Sequence, residues 1–350
     1  MQREYWVDYA KAIGIVLVVY GHVARGLYGA DLVISNNIYA LLDSVVYSFH
    51  MPLFFFLSGL FFYGSFLKKG CGSFVLSKVD TVVYPYLIWS IMQGSIEVFL
   101  SQYTNGNVSY SEVSSLLWSP RAQFWFLYSL FFIFAVSAVL YAFLLKAKVS
   151  ANIVTASLLI ISVILYSCCS ILPDVFLVQS FSQNFVFFIF GVFFSFYLKT
   201  DNFTRLPLAL LFLCFFLIGQ FVYHIILELN YGDRGVLSLC LALISILFVV
   251  SVSVLIDRKV RCSFAVFIGA SSMAIYLMHI LAGSGVRVIL KSFLGIESYM
   301  VHLSVGMTVA LFAPLLAVFI LRRLNVSYVF SAPIHKVILY AYYKILRKGS

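Results

Sequence analysis

Ten apolar runs of roughly 17 to 25 residues follow one another along this chain, parted by short polar breaks, and few folds can absorb that pattern. About 20 apolar residues at 1.5 Å per residue match the ~30 Å hydrocarbon core of a bilayer. The runs cover roughly residues 10–29, 39–63, 81–100, 124–145, 152–172, 182–198, 206–228, 236–256, 264–283 and 300–321. Only 10% of the residues are charged, against about 25% in a soluble domain. The expectation is an all-α polytopic membrane protein of about ten transmembrane helices, with no separate soluble domain.

The net charge of +10 raises nucleic acid as a partner, but Lys and Arg stand in small groups between apolar runs. That is how membrane topology is written. With the N-terminus assigned to the cytoplasm, 18 of the 23 basic residues fall inside and five outside (Arg25, Arg121, Arg234, Arg287 and Lys291). Both termini are then cytoplasmic. The first run lacks a small-x-small cleavage site and is broken by His22 and Arg25, so it reads as a retained span rather than a signal peptide. Residues 333–348 alternate apolar and basic at helical spacing. They read as an interfacial helix on the anionic inner leaflet, with a disordered basic tail as the alternative. The expected division is a membrane domain over 1–323 and a basic amphipathic cytoplasmic tail over 324–350. The six cysteines fit neither a metal spacing nor a disulfide scaffold.

The first span carries ionisable groups where a lipid-facing helix has none. Within AKAIGIVLVVYGHVARGLY stand Lys11, His22 and Arg25, with Asp8 just before. At about 100° per residue all four fall within an arc of roughly 100°. A charge at bilayer depth costs at least ~2.5 kcal/mol, so such a stripe faces a protein interior or a wet cavity. Lys11 lies near the cytoplasmic mouth and His22 about 16 Å further along the axis. A cationic mouth with an imidazole deeper in suits a long anionic donor entering from the cytosol, and a neutral imidazole can take a proton from a hydroxyl. Asp8 and Lys11 are equally readable as interfacial anchors; for His22 a hydrogen-bonded core residue is the lesser alternative.

The second span holds Asp43 and His50, seven residues or two helical turns apart, and hence on one face about 10 Å apart. Pro52 bends that helix, and Ser58-Gly59 lets another helix come close. A kinked packing helix is the alternative. Gln93 and Glu97 are four apart in the third span; Ser272, Tyr276 and His279 share a face of the ninth; Arg287 is a cation that topology does not require. Each lines a cavity or serves as structural glue. His224 and His302 read as interfacial, and His335 belongs to the tail. No phosphate-binding glycine loop, metal-spaced cluster or nucleophile elbow is present.

The run Arg3-x4-Asp8-x2-Lys11-x2-Gly14-x7-His22, followed by FHMPLFFFLSG, resembles the membrane acyltransferase family 3, the integral O-acyltransferases of bacterial surface polysaccharides. Later landmarks agree in order: Pro85-Tyr86-Leu87-Ile88-Trp89, Phe124-Trp125-Phe126-Leu127-Tyr128, Phe187-Phe188-Ile189-Phe190-Gly191 and Ser272-Met273-x2-Tyr276-Leu277-x-His279. The Asp-Tyr-Ala-Lys opening looks most like the fucose 4-O-acetylase branch. The resemblance implies acetyl-CoA as cytosolic co-substrate, no metal, and a glycan or lipid-linked saccharide acceptor at the bacterial inner membrane. It places the family's essential histidine on His22 and a frequent arginine on Lys11, which keeps the charge without the bidentate geometry. Lys78 matches one of a basic pair that many members carry before the third span, whereas Asp80 and Thr81 occupy the neighbourhood of the other.

The expected mechanism therefore has His22 as general base on the sugar hydroxyl, assisted by His50 with Asp43. Arg3, Lys11 and Lys78 hold the CoA phosphates, and Asp8 orients Lys11 or Arg3. Arg25, Trp125, Tyr128, Tyr276, His279 and Arg287 are the expected substrate-binding set. An acetyl-His22 intermediate fits the same residues. A sugar or lipid-linked saccharide transporter using the same stripe is the alternative of a different class, weakened by the lack of an internal repeat.

Overall fold

The computed structural model describes residues 4–32, 35–101, 109–260, 262–326 and 328–335. Arg3 and the basic end of the tail from 336 onward, where the interfacial helix was expected, lie outside the described residues.

Every regular element among the described residues is helical: α1 (Tyr5–Tyr28), α2 (Asn36–Tyr47), α3 (His50–Leu60), α4 (Phe62–Lys69), α5 (Cys71–Lys78), α6 (Tyr84–Phe99), α7 (Tyr110–Ser114), α8 (Trp125–Lys146), α9 (Ala151–Ser167), α10 (Phe176–Tyr197), α11 (Leu206–Phe221), α12 (Val236–Lys259), α13 (Ser263–Ala270), α14 (Ser272–Val288) and α15 (Tyr299–Arg323). All ten apolar runs are largely helical, and eight helical stretches are long and apolar enough to cross a membrane; the ninth run, expected over 264–283, is split at Ser271, and the crossing-length stretch there is Ser272–Phe293. The other two runs are α9, apolar but only 17 residues long, and α6, which spends two of its 16 positions on Gln93 and Glu97. Helix starts follow local chemistry. Ser150 caps α9 by accepting from the Ile153 amide, and Pro85 and Pro207 sit in the first turns of α6 and α11, where a missing N–H costs nothing.

The charged helix is the hub. α1 packs against α2, α3, α12, α13, α14 and α15. Two thirds of its most apolar stretch (67%) is buried inside the protein, against 17% for the stretch containing α11 and 28% for α15. The span least suited to lipid by composition is thus the one most fully wrapped by other helices, as the cost of intramembrane charge demands.

Close backbone approach fixes a second contact. α3 and α10 cross at Gly59 and Gly191, where an added Cβ would stand 2.0 Å from the Phe188 carbonyl oxygen and 2.1 Å from that of Phe56. This is small-residue packing of the kind used between helices that gain nothing from burying apolar surface in lipid.

The second run is not one bent helix. α2 ends at Tyr47, α3 begins at His50, and Phe49 between them has φ −143° and ψ −17°. Pro52 consequently lies in the first turn of α3. Its missing N–H is not needed there, and the His50 side chain takes the Val46 carbonyl at 2.7 Å.

Beyond α15, residues 328–335 strap onto α6 and the turn before it. Tyr84 Oη donates to the Tyr328 carbonyl at 2.6 Å, Trp89 Nε1 donates to that of Val329 at 2.9 Å, and the Trp89 and Phe330 rings stack. The His335 amide donates to Asp80 Oδ1 at 2.8 Å, and its imidazole bonds the same carboxylate. The acid at position 80, where the family resemblance led us to look for a base, holds this strap.

Candidate active site

His22 projects from the C-terminal third of α1 and is partly exposed to internal space. Its ring makes no hydrogen bond among the described residues, but it is flanked by rings. Its centroid is 5.0 Å from that of His279 on α14 and 6.5 Å from that of Tyr47 on α2, which in turn lies 4.5 Å from His50 on α3. Four helices so deliver three imidazoles and a phenol to one place.

Two cavities meet at His22. The larger, about 790 Å³, is lined by His22, Arg25, Glu97, His279, Arg287 and His302 among mostly apolar neighbours. The smaller, about 280 Å³, is lined by His22, Arg25, Tyr47, His50, Trp125 and Tyr276. The larger is of the size that takes a small-molecule ligand.

Backbone carbonyls set the tautomers of two of the histidines. His50 Nδ1 faces the Val46 oxygen at 2.7 Å, and His279 Nδ1 faces those of Ile275 at 3.0 Å and Tyr276 at 2.8 Å. A carbonyl only accepts, so each Nδ1 carries the hydrogen and each Nε2 a lone pair. His279 Nε2 and Tyr47 Oη are both buried without a partner among the described residues.

The pairing of Asp43 with His50 is corrected here. Asp43 instead takes both arms of Arg25, Nε at 2.7 Å and Nη2 at 2.8 Å, while the guanidinium lies 3.4 Å over the Tyr47 ring. A fork of this kind is the strong form of the ion pair. Arg25, expected to bind substrate, thus bridges a carboxylate and an aromatic face while still lining both cavities.

A polar chain runs along the opposite wall. Tyr276 Oη donates to the Gln123 carbonyl; Gln123 Nε2 donates to Gln93 Oε1 at 2.7 Å; Gln93 Nε2 donates to Glu97 Oε1 at 2.8 Å; and Arg121 Nη2 closes on Glu97 Oε2 at 2.6 Å. The i, i+4 spacing of Gln93 and Glu97 was the visible part of this chain. Gln123 and Arg121 come from the segment before α8 and carried no local signal. Tyr47 was missed as well, although it stands three residues before His50.

The remaining expected residues are distributed unevenly. Trp125 and Tyr276 line the smaller cavity, and His279 and Arg287 the larger, where Arg287 Nη1 donates to the Gly26 carbonyl. His302, read as interfacial, is buried against the larger cavity with Nε2 on the Ile296 carbonyl at 2.7 Å. Tyr128 lies on neither cavity; it donates to the Leu117 carbonyl at 3.1 Å and packs on Tyr86. Neither cavity is lined by Asp8, Lys11 or Lys78. Lys78 Nζ rests 4.0 Å above the Phe134 ring on α8. Between Lys11 and His22 the same face of α1 carries Ile15, fully buried, and Val18, which borders the smaller cavity, so the polar stripe is interrupted midway by aliphatic side chains.

Comparison with known proteins adds three findings. The sequence model of a family described as an acyltransferase domain matches residues 4–323. Nodulation protein NolL of Mesorhizobium japonicum is 33% identical over 89 residues, which is 25% of this chain and 23% of that protein. No solved structure matches the chain.

Proposed function

Because the chain belongs to the membrane acyltransferase family 3, whose acyltransferase domain spans residues 4–323, we propose that it transfers an acetyl group from acetyl-CoA to a sugar hydroxyl of a bacterial surface glycan or its lipid-linked precursor. The observation that carries this reading is the position of His22. It is an imidazole with no protein hydrogen bond among the described residues, placed where a ligand-sized cavity and a smaller one meet inside a membrane bundle.

His22 removes the proton of the acceptor hydroxyl as that oxygen adds to the thioester carbonyl carbon. As the carbon–sulfur bond breaks, His22 returns the proton to the departing thiolate, so no net proton is gained or lost. A positioned base of this kind contributes about 10²- to 10⁴-fold. The larger cavity takes the acceptor, with hydroxyls facing Glu97 and Arg287 and apolar walls around them. The donor approaches along α1 from the Lys11 end, where basic groups meet its phosphates, and its thioester arm reaches His22 by the smaller cavity, which Val18 also lines.

The test is direct. Membranes carrying full-length protein are supplied with labelled acetyl-CoA and unacetylated surface glycan, and products are read by mass. His22→Ala and His22→Gln should each lose transfer by about 10²-fold or more while the protein remains inserted. Either variant keeping wild-type transfer would refute the assignment.

A further inference from the structure

The Nε2 atom of His279 is a buried hydrogen-bond acceptor with no partner among the described residues, and the ring beside it is His22. His279 Nδ1 is occupied twice over, by the Ile275 and Tyr276 carbonyls at 3.0 and 2.8 Å. The ring therefore cannot change tautomer without losing both bonds, and Nε2 is left as a lone pair. That nitrogen is out of reach of solvent, and buried polar atoms in native structures are rarely left unused. The His22 ring is 5.0 Å away, centroid to centroid, and tilted by 57°. At that spacing a nitrogen of each ring can come to hydrogen-bond distance. His22, for its part, has no protein hydrogen bond to decide which of its nitrogens holds the hydrogen. Tyr47, the other ring beside it, is further off at 6.5 Å.

We propose that His279 is the positioning residue of His22: its Nε2 accepts a hydrogen bond from the His22 ring, which fixes the His22 tautomer and leaves the other His22 nitrogen bare for the acceptor hydroxyl. The catalytic part of this inference rests on the acyl-transfer reading above; the hydrogen bond itself does not. The arrangement has the logic by which a buried carboxylate orients the base in a serine-protease triad, with a backbone-anchored imidazole in the carboxylate's place. The α14 carbonyls hold His279, His279 holds His22, and His22 meets the substrate. His279 then serves the base rather than the sugar, which is a different role from the substrate contact expected of it.

Two side-chain amides separate this role from a merely structural one. In His279→Gln the amide oxygen stands near the former Nε2 and can still accept from His22; in His279→Asn the amide lies near the former Nδ1 and cannot reach. His279→Leu removes both functions. With full-length protein in lipid nanodiscs, labelled acetyl-CoA and surface glycan from a strain lacking the gene, His279→Gln should keep kcat within about tenfold. His279→Asn and His279→Leu should lose about 10²-fold or more in kcat with KM for both substrates unchanged, the pattern expected when a base is left in the wrong tautomer. A rise in KM at unchanged kcat, or equal losses in the Gln and Leu variants, would overturn the proposal.

A readout that needs no turnover accompanies this. In protein labelled with ¹⁵N-histidine, the His22 signals, assigned by their loss in His22→Gln, should show one protonated and one bare nitrogen. In His279→Leu they should shift to a tautomer mixture, and in His279→Gln they should keep the wild-type pattern. An unchanged His22 spectrum in His279→Leu overturns the hydrogen bond. If wild-type protein transfers no acetyl but its spectrum responds as described, the acyl-transfer reading fails and the His22–His279 bond stands.

Discussion

Arg25 and Asp43 show how far a buried charge's job can depart from what its place in the chain implies. Topology alone would count Arg25 as an outer-side basic residue, and periodicity would couple Asp43 to His50. Instead the two side chains, 33% and 10% exposed, form a bidentate pair at 2.7 Å with the guanidinium stacked on Tyr47. Removing one partner leaves the other uncompensated in a partly desolvated place, which costs more than the pair contributes. Asp43→Ala should therefore destabilise the protein by about 2 kcal/mol. Arg25→Leu combined with it should cost less than the sum of the single changes, with a coupling of about 1 kcal/mol or more in thermal unfolding of the detergent-solubilised protein. Additive losses would mean that the two charges act independently. The Asp80–His335 contact is of the same kind: an acid whose partner is supplied by a strap more than 250 residues later.

Among the helices, the crossing of α3 and α10 is the contact with least slack. A Cβ on Gly59 or Gly191 would lie about 2 Å from a carbonyl oxygen of the other helix, so even alanine forces the pair apart. Gly59→Ala or Gly191→Ala should cost several kcal/mol, in the range of severe overpacking, and show as lost monodisperse protein after solubilisation. Gly72, inside α5 with nothing within 4 Å of its would-be Cβ, is the control. Alanine there should be neutral or stabilising by roughly 0.5–1 kcal/mol, since only the entropy of glycine is removed. The gap between α2 and α3 is equally purposeful in its consequences. Across it His50 lies against Tyr47 and on the cavity that His22 also lines.

For the protein as a whole, the distribution of Lys and Arg predicts which side of the bilayer each end occupies. Reporter fusions at the N-terminus and after Arg323 should both report the cytoplasm, and one in the loop at Gly232 should report the opposite side. Opposite locations for the two ends would reverse the assumed entry of the donor beside Lys11. The bundle also explains why the stripe on α1 is tolerated. Six helices pack around it, so its charges meet protein and cavity instead of lipid.

Class, helix positions, the family and the standing of the first helix were all legible along the chain, because they depend on quantities that are local: the length of an apolar run, the 100° step of a helix, the order of short motifs. His22 stood out for the same reason. The partners of the charged and polar groups did not. Arg25 with Asp43, Gln93 with Gln123, Asp80 with His335 and His22 beside His279 are joined by packing between helices whose separation in sequence bears no relation to their spacing in the bundle. Periodicity could set Asp43 near His50 but could not show that Arg25, from another helix, takes the Asp43 carboxylate. The continuity of the α1 stripe was misread in a similar way. Geometry places Lys11, Ile15, Val18 and His22 along one side, but which of them face open space and which are packed shut depends on neighbouring helices: Ile15 is shut, whereas Val18 and His22 line the smaller cavity.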